Sequence, residues 1–125
     1  MHHSAITLEN SSSRLPLSPA IQSNGFVFVS GQASTNDQGE IVADTFAGEM
    51  RRSLANIAKL LAAAGLDFSD VVQVRSYVRD PSDLAEYNVV YREFFQATFP
   101  ARTTLTGCLP EFLKFEVDVV AATRS

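Results

Sequence analysis

Two stretches with apolar residues at helical spacing, each set between short β-rich runs, restrict the possible folds of this chain more than any other feature. Phe46, Met50, Leu54, Ile57, Leu61 and Ala64 advance by three or four, which makes one stripe of an amphipathic helix from about Thr45 to Ala64. Asp44 or Thr45 can cap its start, and Gly65 stands where a C-terminal cap belongs. Leu84, Tyr87, Tyr91, Phe94 and Phe95 form a second stripe that stops before Phe99-Pro100. Asp80 is its expected N-cap, with Pro81 at the first helical position and Asp83 in the first turn. Arg51, Arg52 and Lys59 fall off the first stripe and read as a solvated face.

The runs around these helices read as strands. Asn24-Gly25 separates Ala20-Ile21-Gln22 from Phe26-Val27-Phe28-Val29-Ser30. Asn-Gly between apolar runs signals a hairpin, because both turn positions need positive φ. Thr7-Leu8 suggests a short edge strand, Ser11-Ser12-Ser13 a turn or flexible piece, Asn36–Gly39 a turn, and Glu40-Ile41-Val42 a short strand. Val71–Val78, Arg102–Thr106 and Lys114–Ala122 complete the set. Each helix then crosses between two strands, and crossovers of one hand put both helices on one face. The expected architecture is α+β, one sheet with two helices packed on one face, in one domain over residues 1–125. The strands at 26–30, 71–78 and 114–122 look apolar on both faces. Phe28, Val74, Val117 and Val119 are candidates for the face without helices, and self-association is expected to bury it.

The 125 residues are 46% hydrophobic and 19% charged with a net charge of −4, which fits a globular chain able to bury a core without metal or disulfide. An acidic balance argues against a broad nucleic-acid surface, which needs clustered Lys and Arg. The single cysteine, Cys108, cannot form an internal disulfide. It reads as a small buried or interfacial hydrophobe, with a reactive thiol as the alternative. No apolar run reaches the roughly 20 residues that span a bilayer, and the N-terminus lacks a signal-peptide core. These features lead us to expect a cytoplasmic protein with no membrane partner. His2 and His3, native or added, are the only histidines, so a histidine dyad or zinc site is not expected.

The chemistry concentrates in Phe99-Pro100-Ala101-Arg102-Thr103-Thr104-Leu105-Thr106, then Leu109-Pro110, then Lys114-Phe115-Glu116-Val117-Asp118-Val119-Val120. Arg102 and Glu116 are charges of opposite sign inside β runs that could be neighbouring strands. Charges within strands lie on a wet face, at an edge or in a site. The pair is a structural salt bridge, two unrelated surface charges, or part of a site. Ser30-Gly31-Gln32 adds a glycine where backbone can come close to a ligand or another strand.

Taken with Ala64-Gly65-Leu66, Val78-Arg79-Asp80 and Asn88, these segments resemble the RidA family, also called YjgF/YER057c/UK114, from about Pro16 to Ala122. The resemblance implies a chorismate-mutase-like fold with one mainly antiparallel sheet, assembled as a homotrimer with a cleft at each subunit interface. It also implies cofactor-free, metal-free hydrolysis of reactive 2-imino and 2-enamino acids to 2-oxo acids and ammonia, a form of metabolite damage control. In that pattern Arg102 matches the arginine that grips the substrate carboxylate, and a guanidinium fork suits a carboxylate. Glu116 matches the glutamate near the attacking water. Ser30 and Gly31 match strand-end positions lining the cleft, and Asn88 matches an asparagine near the bordering helix.

The chain departs from the pattern at two places. Leu17 stands at the position of a cleft tyrosine, which makes the pocket more apolar. Thr104 stands where a cysteine is frequent, and the loop between Arg102 and Glu116 is one residue shorter. Two other readings remain beside the deaminase. One is non-catalytic binding of small 2-oxo acids or other carboxylates in the same cleft. The weaker one is RNA cleavage or translation inhibition, which the acidic charge and the lack of an aromatic-basic stripe count against.

Overall fold

In the computed structural model, which describes residues 3–8 and 15–124, the chain forms β1 (His3–Ile6), β2 (Ala20–Ser23), β3 (Phe26–Gln32), α1 (Phe46–Ala63), β4 (Val71–Val78), α2 (Leu84–Phe94), β5 (Ala101–Thr106) and β6 (Phe115–Ala122). Short 3₁₀ turns, Phe68–Asp70 and Pro81–Asp83, lead into β4 and α2. The Asn24-Gly25 turn has φ of 52° and 83°, as a tight hairpin requires. Thr45 caps α1 by accepting from the Gly48 amide, and Asp80 accepts from the Ser82 amide before α2.

The six strands lie in the order β1-β2-β3-β6-β4-β5. All pairs are antiparallel except β4 with β5. β3 and β4 both run antiparallel to β6, so they run parallel to each other with β6 between them. α1 is therefore a crossover that spans β6, and α2 is a crossover between neighbours. Both cover one face. Val27 and Val29 of β3, Val74 and Val78 of β4, and Phe115, Val117, Val119 and Ala121 of β6 are buried with Met50, Leu54, Ile57 and Leu61 of α1. Each large side chain so buried stabilises the fold by about 1.5–3 kcal/mol.

Several local expectations change. The edge strand is His3–Ile6 rather than Thr7-Leu8. Glu40-Ile41-Val42 reduces to a single bridge between Thr35 and Ile41. Val74, Val117 and Val119 are buried under the helices, not on the other face. Alternation along β4 and β6 decides this: Gln73, Arg75, Tyr77, Glu116 and Asp118 take the other face. Phe28 does lie there, 47% exposed, with Phe26 and Leu105 similarly open. Cys108 is exposed in the loop after β5. Ser11–Ser13 lie outside the described residues. Among the described residues no helix is long and apolar enough to cross a membrane.

Candidate active site

The sequence placed Arg102 and Glu116 on possible neighbouring strands. The structure separates them. β4 stands between β5 and β6, and the two side chains take opposite faces of the sheet. Arg102 pairs in register with buried Val74, and Thr104 with buried Ser76, so both belong to the helix-covered face. Glu116 pairs with Tyr77 and alternates with buried Phe115 and Val117, so it belongs to the open face. No salt bridge joins them, which removes that structural reading.

On the helix side, Arg102 is held from α2. Its Nη1 donates to Asn88 Oδ1 at 2.9 Å, and Asn88 Nδ2 donates to the Leu84 carbonyl one turn back. The guanidinium carbon lies 5.1 Å from the Tyr87 ring centre and 4.9 Å from that of Tyr91. Each such contact contributes about 0.5–2 kcal/mol and fixes the plane of the fork. The Tyr87 hydroxyl bonds Ser76 Oγ at 2.8 Å and lies 3.2 Å from Thr104 Oγ1, so Thr104 supports the ring on which Arg102 rests. Arg102 lines a hollow of about 250 Å³ together with Asn88, Tyr91, Arg92, Phe99 and Pro100. Such a fork can take a carboxylate through two parallel bonds.

On the open side, β3 carries a bulge. Val29 pairs with Val119 and Gln32 with Val117, so Ser30 and Gly31 together oppose Asp118. Bulges re-aim side chains and often lie beside sites. A Cβ on Gly31 would stand 2.5 Å from Glu116 Oε2. The glycine is therefore required by the Glu116 carboxylate itself, which passes over the bare backbone. Among the described residues that carboxylate has no hydrogen-bond or ion-pair partner. Burial pushes its pKa up, and the Asp118 charge adds to the rise. Asp118 is occupied by Arg75 Nε and the Tyr77 hydroxyl, both at 2.8 Å. Ser30 Oγ donates to the Ser18 carbonyl at 2.6 Å, so its proton is spent on the chain. Leu17 is 54% exposed, one residue before Ser18 in the segment that runs beside Ser30. Ser30 and Gly31 line a second hollow of about 270 Å³ with Ile21, Phe28, Val29, Arg75 and Asp118.

The sequence-predicted residues thus fall into two groups within one chain. Arg102, Asn88 and Thr104 form one, and Glu116, Ser30 and Gly31 the other, with Leu17 in the adjoining segment. Sequence reasoning did not place Tyr87, Tyr91 and Arg92 beside Arg102, because the two tyrosines count as core in the helical stripe. Tyr91 and Arg92 follow Asn88 by three and four residues and Tyr91 follows Tyr87 by four, spacings that share one face of a helix. It also missed Glu49, which is 1% exposed and accepts from the backbone amides of Asp44 and Lys114.

Comparison with known proteins identifies the fold and the family. A sequence model of the family described as Endoribonuclease L-PSP matches residues 8–123. A RutC family protein of Pyrococcus horikoshii is 36% identical over 108 residues, covering 85% of this chain and 86% of its own. The 2-iminobutanoate/2-iminopropanoate deaminase of Escherichia coli is 34% identical over 125 residues, covering 95% and 97%. The crystal structure of the YjgF gene product from E. coli superposes with a TM-score of 0.85 at 34% identity, over 97% of this chain and 99% of that one. With a family model matched over nearly the whole length and relatives above 30% identity on the same fold, the chain belongs to the YjgF/RidA family.

Proposed function

We propose that the chain hydrolyses 2-imino and 2-enamino acids to 2-oxo acids and ammonia, without a cofactor, at clefts completed by two copies in a homotrimer. Arg102, Asn88 and Thr104 of one copy bind the substrate carboxylate. Glu116 of the next copy serves the reacting carbon, with Ser30, Gly31 and Leu17 shaping the space around it. The observation that carries this reading is the Glu116 carboxylate, part-buried and without a partner, its pKa raised by burial. A carboxylate kept unpaired at a cost in solvation suits proton transfer better than structural support. The deaminase name of the E. coli relative supports the substrate class.

The steps balance without any added group. Glu116 takes a proton from water as its oxygen attacks C2 of the protonated imine, which gives a carbinolamine. The acid form of Glu116 returns that proton to nitrogen. The C–N bond then breaks as Glu116, again ionised, takes the hydroxyl proton and the carbonyl forms; the released ammonia takes that proton and leaves as ammonium with the 2-oxo acid. Arg102 holds the carboxylate throughout, and charge-assisted bonds of this kind contribute about 1.5–3 kcal/mol each. A protonated imine is already a strong electrophile, so positioning and one proton shuttle suffice.

The test generates a 2-imino acid with an amino-acid oxidase and lets semicarbazide compete for it. The protein is expected to lower semicarbazone formation. Arg102→Ala should lose that effect through a raised KM, and Glu116→Gln should lose it while still binding 2-oxobutanoate in calorimetry. Full hydrolysis by Glu116→Gln would remove Glu116 from the proton transfer, whereas binding of 2-oxobutanoate with no hydrolysis by the wild-type protein would favour a cleft that only binds carboxylates.

A further inference from the structure

The helix-side hollow holds more than one carboxylate would need. Arg92 and Arg102 both line it, and no carboxylate does. Both arginines are anchored on one residue: Arg102 Nη1 on Asn88 Oδ1 and Arg92 Nη1 on the Asn88 carbonyl at 3.2 Å. Each fork keeps its other N–H groups. The acid next in sequence to Arg92 is not available to it, since Glu93 is bound by Arg51 through two bonds of 2.9 and 2.7 Å. Tyr91, 4% exposed, lines the same hollow with its ring, while its hydroxyl is buried away from solvent. The opposite walls, Phe99 and Pro100, offer apolar contact for a short carbon chain.

We propose that this hollow selects a small dicarboxylate, with Arg102 gripping one carboxylate and Arg92 the other. This deepens the proposed function and rests on it: the preferred substrate is a 2-imino dicarboxylic acid of four or five carbons, and the product a 2-oxo dicarboxylate. Arg92 is then the specificity-determining residue. A monoanion leaves its guanidinium without a partner, whereas a dianion meets both forks.

Calorimetry with the whole protein tests this, using 2-oxoglutarate and 2-oxobutanoate as probes at low salt. The dicarboxylate is expected to bind about two- to fivefold more tightly, the range for one added exposed ion pair. Added salt should narrow that ratio, because the added pair is screened. Arg92→Ala should collapse the ratio to about one, and Arg92→Glu should invert it. Lys59→Ala removes an equal charge outside the hollow, where its partner is Asp37, and should leave the ratio intact. Equal binding of the two probes by the wild-type protein would overturn the dicarboxylate preference and leave the proposed function standing. A ratio that survives Arg92→Ala would do the same. Failure to bind either probe would overturn both.

Discussion

At the scale of single residues, Glu116 sets two properties against each other. Its carboxyl is raised above the ordinary value of 4.5, first by burial and then by Asp118. A raised carboxyl in the folded state means that the folded chain holds its proton more tightly than the unfolded chain does. Its contribution to stability is present below the unfolded value and is lost as pH rises through the folded value. Glu116→Gln carries no such charge. Thermal unfolding should therefore give similar midpoints for the two proteins at low pH. A gain for the variant should open as pH rises past the ordinary glutamate range and then hold level at neutral pH. A difference that does not change with pH would show that Glu116 is not held against its solvation. Under the proposed function the same shift should move the acid limb of hydrolysis upward, because only the ionised form accepts the proton from water.

At the scale of elements, the bulge in β3 leaves room for that carboxylate of β6 to pass over bare backbone. Gly31→Ala would put a methyl group 2.5 Å from Glu116 Oε2. That oxygen ends a flexible side chain, so the backbone can stay and the carboxylate must turn away. The expected result is a loss of kcat of at least about tenfold, as misplacement by an ångström produces, with the unfolding midpoint nearly unchanged. A variant with full activity would show that the carboxylate has room to work elsewhere. The bulge was legible only in part. Ser30-Gly31 signalled a close approach, yet what approaches comes from β6, about 85 residues away in sequence, and no local pattern carries such a pairing. Helices and hairpin were legible because 3.6-residue stripes, an Asn-Gly turn and caps at Thr45 and Asp80 are local chemistry. The alternation of Val74, Val117 and Val119 with Gln73, Arg75, Glu116 and Asp118 was present in the sequence, but which set faces the helices is fixed by register and by the neighbouring strands. Tyr91 was read correctly as core, but burial said nothing of its hydroxyl.

At the scale of the whole molecule, the opposite placement of Arg102 and Glu116 has a consequence for assembly. Side chains on opposite faces of one sheet, with β4 between their strands, cannot serve one small substrate. If both act on it, each site draws Arg102 from one copy and Glu116 from another. Phe26, Phe28 and Leu105, 41–49% exposed on the open face, supply apolar surface for such an assembly. Two inactive variants should then repair each other. In mixed oligomers of Arg102→Ala and Glu116→Gln subunits, some clefts receive Arg102 from the glutamine variant and Glu116 from the alanine variant. After unfolding and refolding together in equal amounts, random assembly makes about one cleft in four complete, so activity should return to about a quarter of the wild-type value. Mixing the two without refolding should restore activity only as fast as subunits exchange. No recovery in mixed assemblies that sedimentation shows to have formed would place the working residues of each site within one copy, and Arg102 and Glu116 could not then share a substrate.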